Sequence, residues 1–166
     1  YHDIRSENAV VKPLFADHTR NLTASVFMNA QDRWGGYSAL SVSITQGLPI
    51  LGATSLGDPN KSRVGASGEF TRANFEASHE HPLGDWLSLF LAASGQTSFG
   101  DPLLASEQFS LGGDRYNRAF DPSEITGDSA LAGRIEPRVN LPGQIAFISG
   151  IQLFGFAEGG EIWQAQ

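Results

Sequence analysis

Apolar and polar residues alternate along most of the chain, and this period of two predicts β-strands. The alternation is strict from Asn21 onward, where Leu22, Val26 and Met28 fall on one side and Asn21 and Ser25 on the other. Because successive side chains of a strand point to opposite faces, the pattern predicts strands that each have one apolar and one polar face.

The same pattern recurs in stretches of about ten residues, the length expected of strands that cross an outer membrane. The predicted strands are 1–5, 21–30, 37–48, 69–78, 86–96, 130–140 and 145–158. Short turns at 31–36, 81–85 and 141–144 alternate with long connections at 47–68 and 98–128. Segment 6–17 contains Pro13 and is interpreted as a further loop. Short turns on one side and long loops on the other are typical of outer-membrane barrels.

Alternation alone fits a soluble β-sandwich as well as a barrel, because both have one apolar and one polar face. Trp34, Tyr37 and Trp86 flank short turns, as aromatic residues do at a membrane interface, and they favour the barrel. The alternative is that they are ordinary strand aromatics. Pro137 falls inside a predicted strand, and because proline has no ladder donor we expect a β-bulge there.

Composition narrows the function classes. The 166 residues predict a single domain, and the 19 glycines favour an all-β chain. No apolar run reaches the roughly eighteen residues of a transmembrane helix. The net charge of −7 argues against a nucleic-acid partner, and the absence of cysteine excludes disulfides and thiolate metal sites.

The stretch 106–128 has no sustained alternation and stands between regular strands. It contains the pair Gly112-Gly113, then Arg118 between Tyr116 and Phe120. It closes on residues that favour turns. A long connection of this kind is more often functional than passive, so we expect this segment to carry the function.

Three motifs of this stretch resemble one family. They are Ser-Glu-Gln-Phe-x-Leu-Gly-Gly at 106–113, Arg118-Ala119-Phe120, and Gly-Asp-Ser-x-Leu at 127–131. In this order they are similar to the long barrel loop of the ShlB/FhaC/HecB hemolysin secretion/activation transporters of two-partner secretion. Ala119 stands where the family has glycine, the residue that adopts positive φ freely.

A second motif, Phe156-x-Glu158-x-Gly160, resembles the family's Phe-x-Asp-x-Gly with glutamate for aspartate. The resemblance implies that the long loop folds back into the lumen and that Arg118 pairs with Glu158. A carboxylate can hold a guanidinium through two parallel bonds. From the residues alone, Glu158 could equally solvate the lumen while Arg118 remains in the loop.

The resemblance implies an all-β fold, an antiparallel transmembrane β-barrel of about sixteen strands. Residues 1–166 would be part of that single domain and supply about seven strands and a reentrant loop at 98–128. The POTRA domains and the last strands would lie outside the chain. The implied protein is a monomeric pore in the outer membrane of a Gram-negative bacterium, in contact with lipid, which translocates a large secreted exoprotein without a catalytic residue or cofactor.

Three alternatives remain from the sequence. One is an outer-membrane assembly (insertase) barrel, which shares the loop arginine and the strand acid. Another is a passive porin or autotransporter barrel. A third is a barrel hydrolase, which would need an outward-facing Ser/His pair on neighbouring strands, and the sequence shows no obvious serine partner for His79.

Other candidate sites are weaker. His79 and His81 point the same way on a strand, but no third ligand is evident, so the sequence predicts no metal. Segment 57–61 lacks the acidic spacing of a calcium loop. Ser67 does not stand in a Gly-x-Ser-x-Gly elbow. The sequence thus predicts a protein that is not an enzyme.

Overall fold

The computed structural model describes residues 2–8, 11–113, 118, 121, 123–141 and 150–165, with side chains from residue 15 onward. These residues form an all-β, antiparallel structure with one short 3-10 turn, Ala105–Glu107. The strands are β1 His2–Asn8, β2 Val11–Thr19, β3 Asn21–Gln31, β4 Tyr37–Gly47, β5 Thr71–Pro82, β6 Leu87–Thr97, β7 Phe109–Leu111, β8 Ile125–Gly127, β9 Ser129–Leu141, β10 Ile151–Phe154 and β11 Ala157–Trp163. No helix among the described residues is long and apolar enough to cross a membrane.

The main sheet has the order β3-β4-β5-β6-β9, with β10 and β11 both paired to β9. The β3–β4 hairpin keeps one register from Asn21↔Gly47 to Gln31↔Tyr37. Strands β3, β4, β6 and β9 match the alternating stretches to within a residue or two, which confirms those predictions. β5 begins and ends later than predicted, because the strand continues to Pro82 before the chain turns.

Strands β10 and β11 are successive parts of one strand. Ile151 opposes Leu141 and Trp163 opposes Ser129 in a single register, with Gly155 opposite Pro137. Gly155 donates its N–H to the Pro137 carbonyl at 3.2 Å, but Pro137 has no N–H to return. The bulge expected at Pro137 is therefore wrong. The proline instead interrupts the ladder while the register continues on both sides.

The prediction of a loop at 6–17 is also wrong, because β1 and β2 form a separate hairpin. Its register shifts between Ser6 and Asn8, opposite the part of β2 that holds Pro13, and such an irregularity is where a strand tolerates proline. Only Arg20 separates β2 from β3. The predicted turn at 142–144 and strand residues 145–149 lie outside the described residues.

Connection 48–70 follows the other edge of β2. His18 donates its N–H to Thr54 Oγ1 at 2.8 Å, and its carbonyl accepts the Thr54 N–H at 2.9 Å. Farther along, Ala16 donates to the Asn60 carbonyl at 2.8 Å. β2 therefore has β1 on one edge and a loop of its own chain on the other.

The main sheet has two faces of different character. The apolar face carries exposed large apolar side chains from β3, β4, β6 and β9: Leu22, Val26, Met28, Val42, Ile44, Leu91, Leu131 and Ile135. Val26 is 71% exposed and Leu22 is 67% exposed. A soluble sandwich would bury this face under a second layer, whereas a lipid-facing sheet exposes it. The opposite, polar face carries alternating Ser, Thr, Asn, Glu and Arg residues.

Short turns 32–36 and 83–86 lie at one end of the sheet, and connections 48–70 and 98–128 leave from the other. The buried apolar side chains lie mainly in and beside these long connections. They are Ala66, Phe70, Leu103, Leu104, Leu111, Ala130 and Ala132. The core therefore forms where the long connections meet the polar face.

Candidate functional site

Connection 98–128, here called the central loop, lies in part against the polar face. Within it, β7 and β8 pair as a two-stranded ribbon. Leu111 at the end of β7 is 2% exposed and packs on Ala132, with Ala92 and Ile162 around it. Since Ala92, Ala132 and Ile162 come from β6, β9 and β11, the ribbon is fixed to three strands of the sheet.

Glycines make this approach possible. A Cβ on Gly160 would stand 3.0 Å from Leu111 Cδ1 and 3.0 Å from the Leu131 carbonyl. Gly112 and Gly113 have φ of 114° and 85°, which side-chain-bearing residues rarely adopt. A Cβ on Gly112 would also collide with the Asp121 carbonyl. These three predicted site residues thus shape the loop and its seat on the sheet.

Glu107 attaches the central loop to β3 and β5. Its side chain is 5% exposed and lies 3.1 Å from Arg72 Nη2. Oε1 accepts from Asn21 Nδ2 at 2.9 Å, and the Glu107 carbonyl accepts from Arg72 Nη1 at 2.8 Å and Gln96 Nε2 at 3.2 Å. The glutamate of the Ser-Glu-Gln-Phe motif is therefore a buried ion-pair partner of the polar face.

Asp128 is the last residue of the central loop and pairs with Arg63. This pair is here called the buried anchor. The Asp128 carboxylate is fully buried and accepts from both Arg63 Nη atoms, from Leu103 N–H at 2.9 Å and from Ala165 N–H at 2.8 Å. Gln108 Nε2 adds a bond at 3.3 Å. Burial pushes the pKa of Asp128 upward, but the bonds from Arg63 and the two N–H groups outweigh it and hold the pKa below its usual value.

Arg118 lies close to the carboxylates of Glu158 and Glu136. This group of three residues is here called the polar-face contact. The backbone N–H of Arg118 donates to Glu158 Oε1, and its Nε lies 4.0 Å from Glu158 Oε2. Its Nη2 lies 3.6 Å from Glu136 Oε2. The Glu158 and Glu136 side chains are 7% and 5% exposed, and the arginine is 25% exposed. The structure brings Arg118 and Glu158 together, but through the main chain and loose ion pairs and not through two parallel bonds.

Aromatic rings complete this contact. The Arg118 guanidinium carbon lies 4.3 Å from the centroid of Phe156 and 5.8 Å from that of Phe154, within the range of cation–π attraction. Phe156 therefore contributes to the position of the arginine. Ala119 and Phe120, the other members of the predicted loop motif, lie outside the described residues.

A row of charges continues from Glu136 along the polar face. Arg138 Nε donates to Glu136 Oε1 at 2.7 Å, and its Nη1 donates to Glu80 Oε2 at 2.7 Å. Arg134 Nε lies 3.7 Å from Glu136 Oε2. The sequence motifs do not include Glu136, although positions 134, 136 and 138 share a face by period two. That spacing was the signal that could have placed a second acid beside Glu158.

Two weaker candidates are clarified. Ser67 Oγ donates to the Glu69 carbonyl at 3.1 Å and accepts the Glu69 N–H at 3.2 Å, which is a local turn. The serine partner that the sequence did not show for His79 is Ser38, whose Oγ lies 2.8 Å from Nδ1 on the neighbouring strand. Both residues pair within the β4–β5 ladder, whose N–H groups are engaged between strands, so these two strands offer the pair no free N–H groups for an oxyanion hole.

One of three comparisons with known proteins gives a match. Residues 14–166 match the family described as haemolysin secretion/activation protein ShlB/FhaC/HecB. No curated protein and no solved structure gives a significant match. The family match extends over most of the chain, from within β2 through β11, and includes the central loop and both of its attachments. The chain therefore belongs to the ShlB/FhaC/HecB family of haemolysin secretion/activation proteins, the transporters of two-partner secretion.

Proposed function

We propose that this chain is part of an outer-membrane pore through which one large exoprotein leaves a Gram-negative cell. The family is one of outer-membrane transporters, and for this chain we propose the pore and its cargo. The observation that carries the proposal is the contact of Arg118, from the central loop, with carboxylates on β9 and β11. A loop held this way across the polar face occupies the path that a substrate would take.

The two faces support the placement of the sheet. Exposed Val26 and Leu22 would meet lipid, and the polar face with its charged row would line an aqueous lumen. The edges of the sheet at β3 and β10–β11 would need further strands, because an open edge is not tolerated in lipid. We propose that such strands close a barrel of about sixteen and that POTRA domains precede it.

Lipid contact can be tested with a pair of adjacent residues on β3. Val26→Arg places a charge on the apolar face near the strand centre, which costs about 2 to 4 kcal/mol at the bilayer midplane. Ser25→Arg places the same charge on the polar face and should be mild. We expect Val26→Arg alone to reduce the folded, heat-modifiable protein in outer-membrane fractions. Equal levels of the two variants would contradict the assignment of faces.

Transport is tested by depleting the full-length protein from cells that also express its exoprotein. We expect the exoprotein to disappear from the medium while resident outer-membrane proteins keep their levels. The insertase alternative predicts the reverse, a fall in several resident barrels before any change in secretion. A passive porin predicts loss of small-solute uptake with the exoprotein still in the medium.

A further inference from the structure

Two histidines and an aspartate meet on the apolar face next to the short turn 32–36. β5 places His79 and His81 two residues apart, with rings stacked at 5.8 Å between centroids. The turn brings Asp32 against them, with Oδ2 3.8 Å from His81 Nδ1. One ligand atom from each of the three residues lies within 4.8 Å of the others. The third ligand that the local sequence lacked thus comes from a different hairpin.

Asp32 is held in position by the turn itself. Its Oδ1 accepts the N–H groups of Trp34 at 2.8 Å and Gly36 at 2.9 Å, which leaves Oδ2 directed at the histidines. The carboxylate is therefore held in place by two backbone bonds before any ligand arrives.

His79 is oriented as metal-binding histidines usually are. Ser38 Oγ engages Nδ1 at 2.8 Å, which fixes the ring and presents Nε2 as the coordinating nitrogen. Gly36 permits the approach, because a Cβ there would stand 3.1 Å from His79 Cε1 and 2.5 Å from Asp32 Oδ2. The cluster thus has supporting contacts as well as ligand atoms.

We propose that Asp32, His79 and His81 bind a divalent transition metal of the Zn²⁺ class. Two imidazoles and one carboxylate suit such ions, whereas Ca²⁺ and Mg²⁺ prefer all-oxygen ligands. With metal–ligand bonds of about 2.0 to 2.2 Å, tetrahedral ligand atoms stand roughly 3.3 to 3.5 Å apart. Binding would therefore draw the ligand atoms together from their present separations of up to 4.8 Å. Water takes the fourth position, and the ion ties the β3–β4 turn to β5.

The site lies beside the short turn 32–36, at an end of the sheet that meets water in the proposed barrel, and the side chains of His81 and Asp32 are 37% and 30% exposed there. The test is Zn²⁺ binding to the purified full-length protein in lipid nanodiscs, measured by calorimetry. We expect one equivalent of Zn²⁺ to be lost in each of Asp32→Asn, His79→Ala and His81→Ala. Ser38→Ala should keep the equivalent but weaken its affinity about 10- to 100-fold. X-ray absorption should give Zn–N distances of about 2.0 to 2.1 Å.

His18→Ala is the matched control, because it removes a histidine from a different strand and should leave the stoichiometry unchanged. Circular dichroism and heat modifiability of each variant exclude loss of fold as the cause. Unchanged stoichiometry in the three ligand variants would overturn the proposal, as would an all-oxygen coordination shell. Labelling of Ser38 by an organophosphonate would point to an acyl-transfer site instead, and would also overturn it.

Discussion

The central loop is attached at two places that differ in the number and the length of their polar contacts. At the buried anchor, a fully buried Asp128 carboxylate accepts five hydrogen bonds, two of them from Arg63. At the polar-face contact, the quarter-exposed Arg118 guanidinium lies 3.6 to 4.0 Å from Glu136 and Glu158. At both places the carboxylates are buried and the arginine is about a quarter exposed, so the number of bonds and their length, and not burial, make the first attachment the stronger one.

This difference teaches what each attachment can do. Breaking a buried pair leaves an uncompensated charge, so the anchor is fixed as long as the protein is folded. The polar-face contact is weak enough to open without unfolding the sheet. We therefore propose that the anchor fixes the ends of the central loop and that the polar-face contact is the part that yields during transport.

The largest expected effect is at the anchor. Asp128→Ala leaves Arg63 and two backbone N–H groups without their acceptor, which should lower the free energy of unfolding by about 3 to 5 kcal/mol. Urea unfolding of the full-length protein in lipid vesicles measures it. Asp85→Ala, in an exposed short turn, is the control and should change little. A loss below about 1 kcal/mol at Asp128 would remove the contrast between the two attachments.

The same anchor should respond to pH. Aspartate in an unfolded chain has a pKa of about 3.9, and the pKa of Asp128 is lower than this in the fold. Its contribution is thus fully present above the unfolded pKa and is lost as the pH falls through the folded pKa. The stability advantage of the wild type over Asp128→Asn should shrink below about pH 4. An advantage that stays constant would show that the charge is not involved.

A smaller effect is expected where the ribbon rests on the sheet. Gly160→Ala would press on Leu111 and on the Leu131 carbonyl, and crowding of this kind costs about 1 to 3 kcal/mol. Gly159→Ala is a matched control, since a Cβ there meets nothing within 4 Å. Proteolysis within 98–128 should become faster in the first variant only. Identical cleavage rates would show that this contact does not hold the loop.

The smallest effect on stability, and a large one on transport, is expected at the polar-face contact. Arg118→Ala should cost only about 1 kcal/mol, because Glu158 keeps the backbone N–H of residue 118 and Glu136 keeps Arg138, but it should strongly reduce exoprotein secretion. Because Glu136 also faces the arginine, Glu158→Gln alone should reduce secretion less than Glu158→Gln combined with Glu136→Gln. Outer-membrane levels of each variant provide the control.

A charge swap sharpens this prediction further. Arg118→Glu with Glu158→Arg would place the new carboxylate beside Glu136, so we expect little rescue. Adding Glu136→Gln should restore part of the secretion. Strictly additive losses among these positions would show that the three residues do not act as a unit.

Alternation located most of the sheet but not its irregular parts. β3, β4, β6 and β9 followed from period two, because one face of each is apolar. The β1–β2 hairpin did not, since Pro13 and a polar composition resemble a loop and the pairing depends on a distant partner. A bulge was predicted at Pro137 because proline has no N–H for the ladder. A strand can accommodate this either with a bulge or by leaving one ladder hydrogen bond unformed, and the sequence does not distinguish the two.

The site was predicted in part. The family motifs pointed to Arg118 and Glu158, which the structure brings together. Glu107 and Asp128 belong to the family motifs, but their ion pairs were not predicted, because their partners Arg72 and Arg63 lie far away in the sequence. Asp32 was missed as a neighbour of the histidines for the same reason. Contacts between hairpins depend on register and loop path, which local patterns do not contain.

Both edges of β2 are hydrogen-bonded, and this has a consequence for the passage of an exoprotein through the proposed pore. An unpaired strand edge is a template to which any extended polypeptide can add by main-chain bonds. Here β1 occupies one edge, and His18 and Ala16 engage connection 48–70 on the other. A transporter whose cargo passes in an extended form would stall if the cargo could pair with such an edge. Because residues of the chain itself occupy both edges of β2, the exoprotein cannot pair with this strand during transport.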